Sequence, residues 1–97
     1  MNENQLQAGA AAVDITPEGR ITLAGSLTRR YSDGVIDALH ARAIVIDNGE
    51  TKVVFVLIDL IAFSHEDCDD VRRGIANKLD IPISNVCVSC THTHYAP

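Results

Sequence analysis

The chain has 97 residues, 46% of them hydrophobic, with no tryptophan and 13 acidic against 8 basic side chains for a net charge of −5. One domain at most fits this length, and such a chain buries only about 60–65% of the surface that its unfolded form exposes. The composition suits a globular α/β domain and argues against disorder, while the acidic balance disfavours nucleic acid and anionic membrane surfaces as partners.

The first seven residues, MNENQLQ, form a polar tail without the charged start or the apolar stretch of about 7–15 residues that mark a signal peptide. The apolar run Val53 to Phe63 is broken by Asp59 and falls short of the about 20 residues of a membrane span. The expected location is the cytoplasm, or the exterior if a leader has been removed. Cys68, Cys87 and Cys90 are too few and too oddly numbered for a disulfide framework. The pairs Arg29-Arg30 and Arg72-Arg73 read as solvated surface.

In chain order, AGAAAVDI predicts a short first strand, ended by turn chemistry at Thr16-Pro17-Glu18-Gly19. Residues 20–37 have no period; so long a loop is either functional or hides an element. ALHARAIVID and TKVVFVLIDLI are β-rich, and Asn48-Gly49 between them predicts a hairpin, because both residues tolerate positive φ. The second run is apolar on both faces and should be a central strand. Ser64 caps the next element, with Asp67 three residues on, acids crowding its start and Arg72, Arg73 and Lys78 following. Cys68, Val71, Ile75 and Leu79 form its apolar stripe, so a helix is expected to end before Pro82.

NVCVSC then begins a last strand. A strand, a helix and a strand make a right-handed βαβ unit, so Val53–Leu60 and Val86–Cys90 should lie parallel. The expected fold is therefore α/β, a hairpin plus a βαβ unit in a mixed sheet. Ligand sites in open α/β sheets gather at the carboxyl ends of the strands, which puts Asp59 and His92-Thr93-His94 at one edge.

Two histidines at i and i+2 in extended chain share a face, with Cα atoms about 6–7 Å apart, and can reach a common metal. Thr91 and Thr93 offer hydroxyls to support them. The opposing reading is two solvated rings at a chain end. A zinc knuckle from Cys87, Cys90, His92 and His94 is disfavoured, since residues 87 and 90 of a strand point to opposite faces. His40 reads as a structural histidine within its strand and His65 as an exposed ring at the N2 position of the helix. Asp59 interrupts an apolar strand, so its carboxylate is either bonded to nearby loop amides or catalytic.

The order AGAAAVDITP, LAGS, LHARAIVIDNGETKVVFVLIDLI, a helix and NVCVSCTHTHYAP resembles the N-terminal part of the neutral/alkaline non-lysosomal ceramidases, over about Ala8 to Pro97. T-H-T-H-x-x-P after a strand is its most specific piece. The resemblance implies a zinc ion that activates water against an amide carbonyl, with ceramide cleaved to sphingosine and fatty acid. It implies that His92 is a zinc ligand and that His94 lines the site near a lipid-like or other amide substrate. The remaining ligands, a histidine, a glutamate and a tyrosine, would lie beyond this chain. Residues 1–97 are then expected to be an N-terminal fragment of a larger catalytic domain, inactive alone. Its partners would be the rest of that domain or, through open sheet edges, a second copy of itself. The sequence departs from the family in Tyr95-Ala96-Pro97, where Ser-Gly-Pro is usual, and in Asp33-Gly-Val-Ile-Asp, which carries no histidine.

Two other readings stay open. An amidohydrolase barrel also ends its first strand in H-x-H, but there an aspartate usually stands where Cys90 does. The third is a small binding or scaffold domain without chemistry.

Overall fold

The computed structural model describes residues 5–97. The first strand, β1, runs Gln7–Asp14, so the expected polar tail is a residue shorter at its end, and its first four residues lie outside the described part. Two longer strands follow the irregular segment, His40–Asp47 and Lys52–Ile58. Within that segment a small hairpin forms, which the sequence pattern did not reveal. Taking all strands in chain order, Thr22–Leu23 is β2, Arg30–Tyr31 is β3, His40–Asp47 is β4, Lys52–Ile58 is β5 and Val86–Cys90 is β6. The β2–β3 pair is antiparallel, with Thr22 opposite Tyr31, and the Arg20 guanidinium lies 4.8 Å from the Tyr31 ring centroid.

The main sheet has the order β1-β4-β5-β6. β1 and β5 both pair antiparallel with β4, while β5 and β6 are parallel, Val54 beside Val86 through Ile58 beside Cys90. The architecture is thus the α/β hairpin plus strand–helix–strand unit that the pattern implied. Amidohydrolase barrels open on parallel strands; an antiparallel β4–β5 pair is a different beginning.

The turn between β4 and β5 corrects its expected geometry. Of the Asn-Gly pair only Gly49 has positive φ, at 93°. Strand pairing ends at Asp47 and Lys52, and four residues form the loop, closed by Asn48 N–H to the Thr51 carbonyl at 3.2 Å. The Asn48 side chain does what a second positive φ would have done: its Oδ1 accepts from the amides of Glu50 at 2.9 Å and Thr51 at 2.7 Å.

The helix α1 spans His65–Leu79. Ser64 Oγ accepts from Asp67 N–H at 3.0 Å, and Asp80 closes the other end in the left-handed region at φ 55°. His65 is therefore the first helical residue rather than the second. The buried stripe is also displaced: Cys68, Arg72, Ile75 and Ala76 face the sheet, whereas Val71 and Leu79 are exposed. Arg72 explains the shift. Its Nε donates to the Val86 carbonyl at 2.9 Å and its NH2 to the Ile83 carbonyl at 3.1 Å, so a long charged stem occupies the stripe and ties the helix to the start of β6. Arg72 and Arg30 are both half-buried, unlike their neighbours Arg73 and Arg29, so only one member of each basic pair is surface.

The core is small. Val54, Val56, Ala76 and Val86 pack together where α1 crosses β5 and β6, with Ala43, Val45, Ile58 and Val88 against them. The helix covers one face only. On the other, Ile44 and Phe55 stand side by side with half of their surface exposed, and Cys87 continues the row on β6. β5 is central in the sheet, as its two apolar faces implied, yet only one of those faces is covered within these residues.

Candidate metal centre

Parallel β5 and β6 deliver their carboxyl ends to the same edge. Past the last paired residues the chains stay bonded: Thr91 N–H donates to the Ile58 carbonyl and His92 N–H to the Leu60 carbonyl, each at 3.0 Å. His92 then turns into the left-handed region, φ 64°. Such a backbone is uncommon outside glycine and concentrates at functional sites.

The expectation of two rings presented by an extended strand therefore needs correction. Strand geometry ends at Cys90, and it is the turn at His92 that brings the rings together, centroids 5.0 Å apart and planes at 87°. Zinc–nitrogen bonds of about 2.0–2.1 Å at a tetrahedral angle put two imidazole centroids roughly 5 Å apart. The two rings stand at about that separation.

Both rings are anchored on the same nitrogen. His92 Nδ1 lies 2.9 Å from the Ile61 carbonyl and His94 Nδ1 3.0 Å from the Gly25 carbonyl. A carbonyl only accepts, so Nδ1 carries the proton in each ring and the neutral form keeps its lone pair on Nε2. That arrangement, Nδ1–H on a backbone carbonyl and Nε2 bare, is the one metal-bound histidines use. His40 has the opposite arrangement: an Arg42 NH2 group donates to its Nδ1 at 3.2 Å, leaving the proton on Nε2.

Gly25 earns its place by contact. Its φ is 93°, and a Cβ there would run into His94 Nδ1 and come within 2.5 Å of Ile61 Cδ1. The loop carrying it is laced to the last residues of the chain. Ala24 N–H donates to the Ala96 carbonyl at 2.9 Å, and Ala96 is fully buried. Neither Gly25 nor Arg30 stood out in the sequence, where LAGS carried only a family likeness.

Asp59 is held by two groups of β4. Its Oδ2 accepts from His40 N–H at 2.8 Å and from Arg42 at 3.2 Å. The His40 amide, followed by Arg42 and Thr91, holds its carboxyl below the usual carboxylate range. Of the two readings open for Asp59, the geometry supplies the partners of the first, a carboxylate bonded to neighbouring amide and guanidinium groups. Asp14 is likewise lowered by the hydroxyl and amide of Thr16.

A cleft of about 960 Å³ reaches this edge. Ile21, Leu23 and Leu39 give it an apolar wall, and Asp59, Thr93 and Tyr95 a polar end. Cys87 and Cys90 stand on opposite faces of β6, beside Phe55 and Ile58; the zinc knuckle has no geometry here. Among the described residues no three His, Cys, Asp or Glu side chains assemble into a metal-binding group, and no helix is long and apolar enough to cross a membrane. No known family model matches the sequence, and no curated protein matches it.

Proposed function

We propose that the chain is the N-terminal part of a zinc-dependent amide hydrolase of the neutral/alkaline ceramidase kind. The observation that supports it most is the imidazole pair after β6, each ring tied through Nδ1 and bare at Nε2. His92 is this chain's ligand, and His94 faces the substrate; the other ligands come from outside these residues. Bound zinc would supply an acidified water and a polarised carbonyl. The chain's own part is orientation. The Ile61 carbonyl keeps the His92 donor nitrogen unprotonated, and the Gly25 carbonyl does the same for His94, leaving Nε2 able to take a proton during amide cleavage. Asp59 acts as a positioning residue: bonded to the His40 amide and to Arg42, it fixes the sheet edge beyond which both histidines follow. The apolar wall of the cleft suits an acyl chain, and Thr93 and Tyr95, which line both this cleft and the hollow beside His94, would carry the scissile group from one to the other.

Zinc titration by calorimetry tests the reading. With one or two ligands present, binding weaker than about 1 μM is expected, abolished in His92→Ala and unchanged in Cys87→Ser/Cys90→Ser. Tight stoichiometric binding lost only in the cysteine variant would reverse the assignment.

The uncovered row of Ile44, Phe55 and Cys87 favours a second reading, a non-catalytic binding domain whose partner covers that face. A cooperative, monomeric melt unaffected by zinc and by His92→Ala is the result that reading requires.

A further inference from the structure

Two contacts join residues 24–25 directly to residues 94–96, and Arg30 bridges the same segments by bonding to each of them. Its NH2 group donates to the His94 carbonyl at 2.7 Å and to the Ala24 carbonyl at 3.4 Å. The direct contacts are the Ala24 amide on the Ala96 carbonyl and the His94 ring on the Gly25 carbonyl. Arg30 itself is held in unusual surroundings. Among the described residues no carboxylate lies within ion-pair distance of it, its Nε–H is buried without an acceptor, and its Cζ sits 5.3 Å from the Tyr95 ring centroid. A half-buried cation with an orphaned N–H is costly, and a neutral side chain would join two loops at less cost.

We propose that Arg30 is a positioning residue for His94, fixing the Gly25 carbonyl and so deciding which ring nitrogen of His94 carries the proton. The fork geometry of guanidinium suits the task, because one planar group spans carbonyls from both segments. Gly25 follows Ala24 directly, so binding the Ala24 carbonyl and the His94 carbonyl together sets the distance from the Gly25 oxygen to the His94 ring. Release of that oxygen frees the ring to take up the Nε2–H form that an unconstrained imidazole prefers. The proton would then occupy the nitrogen that must be bare for metal binding or proton uptake. The functional weight of the inference rests on the proposed role of His94; the tautomer itself does not.

The test is nitrogen-15 NMR of the 97-residue chain at a pH where both rings are neutral, reading Nδ1 and Nε2 from their ring-proton correlations. The wild-type chain should show Nδ1–H at both His92 and His94. In Arg30→Gln, His94 should pass to mainly Nε2–H while His92, anchored separately on Ile61, stays as it was. Arg30→Lys should fall between them. A wild-type His94 with Nε2–H would overturn the proposal, as would an Arg30→Gln chain whose His94 keeps its tautomer. Loss of the sheet's amide dispersion in Arg30→Gln would also overturn it, by making Arg30 a general structural tie. Zinc titration is read separately, so absent metal binding with the expected tautomer change counts against the hydrolase reading and leaves this one standing.

Discussion

Asp59 and His40 bind each other twice. The Asp59 amide donates to the His40 carbonyl at 2.9 Å, and the Asp59 carboxylate accepts the His40 amide at 2.8 Å. One residue thereby closes the β4–β5 pair at the edge where β6 also ends.

Asp59→Asn should cost about 1–2 kcal/mol at neutral pH, the worth of hydrogen bonds to an ionised group. Because the folded carboxyl is held below its ordinary value, its contribution is complete above the unfolded pKa of about 3.9 and disappears as pH falls through the lower folded value. Urea unfolding of both chains from pH 7 downward checks this. The gap between them should close only below about pH 4; a gap that persists through strong acid would mean that the charge contributes nothing.

Val54 and Phe55 are neighbours on β5 with opposite surroundings, the first in the core and the second on the uncovered face. Val54→Ala should destabilise by roughly 2–3 kcal/mol, the lost transfer of two methylene equivalents plus an unfilled cavity. Phe55→Ser should change stability by less than about 1 kcal/mol and reduce self-association, measured by sedimentation.

Arg72→Ala removes two bonds to backbone carbonyls and the stem that covers the helix stripe. A loss of about 2 kcal/mol is expected, against about 0.5 kcal/mol for Arg73→Ala, whose exposed pair with Asp70 is screened by water. Equal effects in thermal melts would contradict the helix-to-strand tie.

The cysteines should separate by reactivity. Cys87 is exposed, whereas burial pushes the Cys90 thiol up, with Cys68 adding to it. Iodoacetamide should label Cys87 several-fold faster than Cys90, as read by mass spectrometry of native chain. Faster labelling of Cys90 would require a different environment at the end of β6.

Local and periodic features were legible in the sequence. The central place of β5, the Ser64 cap, the parallel β5–β6 pair and the shared edge for Asp59 and His92-Thr93-His94 follow from short-range patterns: apolar runs, capping spacing and the connection rule. Where such a pattern left a choice of side chain, it was less informative. Cys68, Val71, Ile75 and Leu79 fit a helical stripe as well as the one observed, and only the carbonyls of Ile83 and Val86 drew Arg72 into it.

The sequence by itself determined the kind of fold and where on the chain the two candidate ligands stand. Tertiary structure alone decided how those ligands are held. The left-handed turn at His92, the β2–β3 hairpin and the lacing of Gly25 and Arg30 to His94 join residues more than sixty positions apart in the last case. No periodicity records such contacts, because each is a single carbonyl meeting a single donor, and only the folded path of the backbone brings the two together.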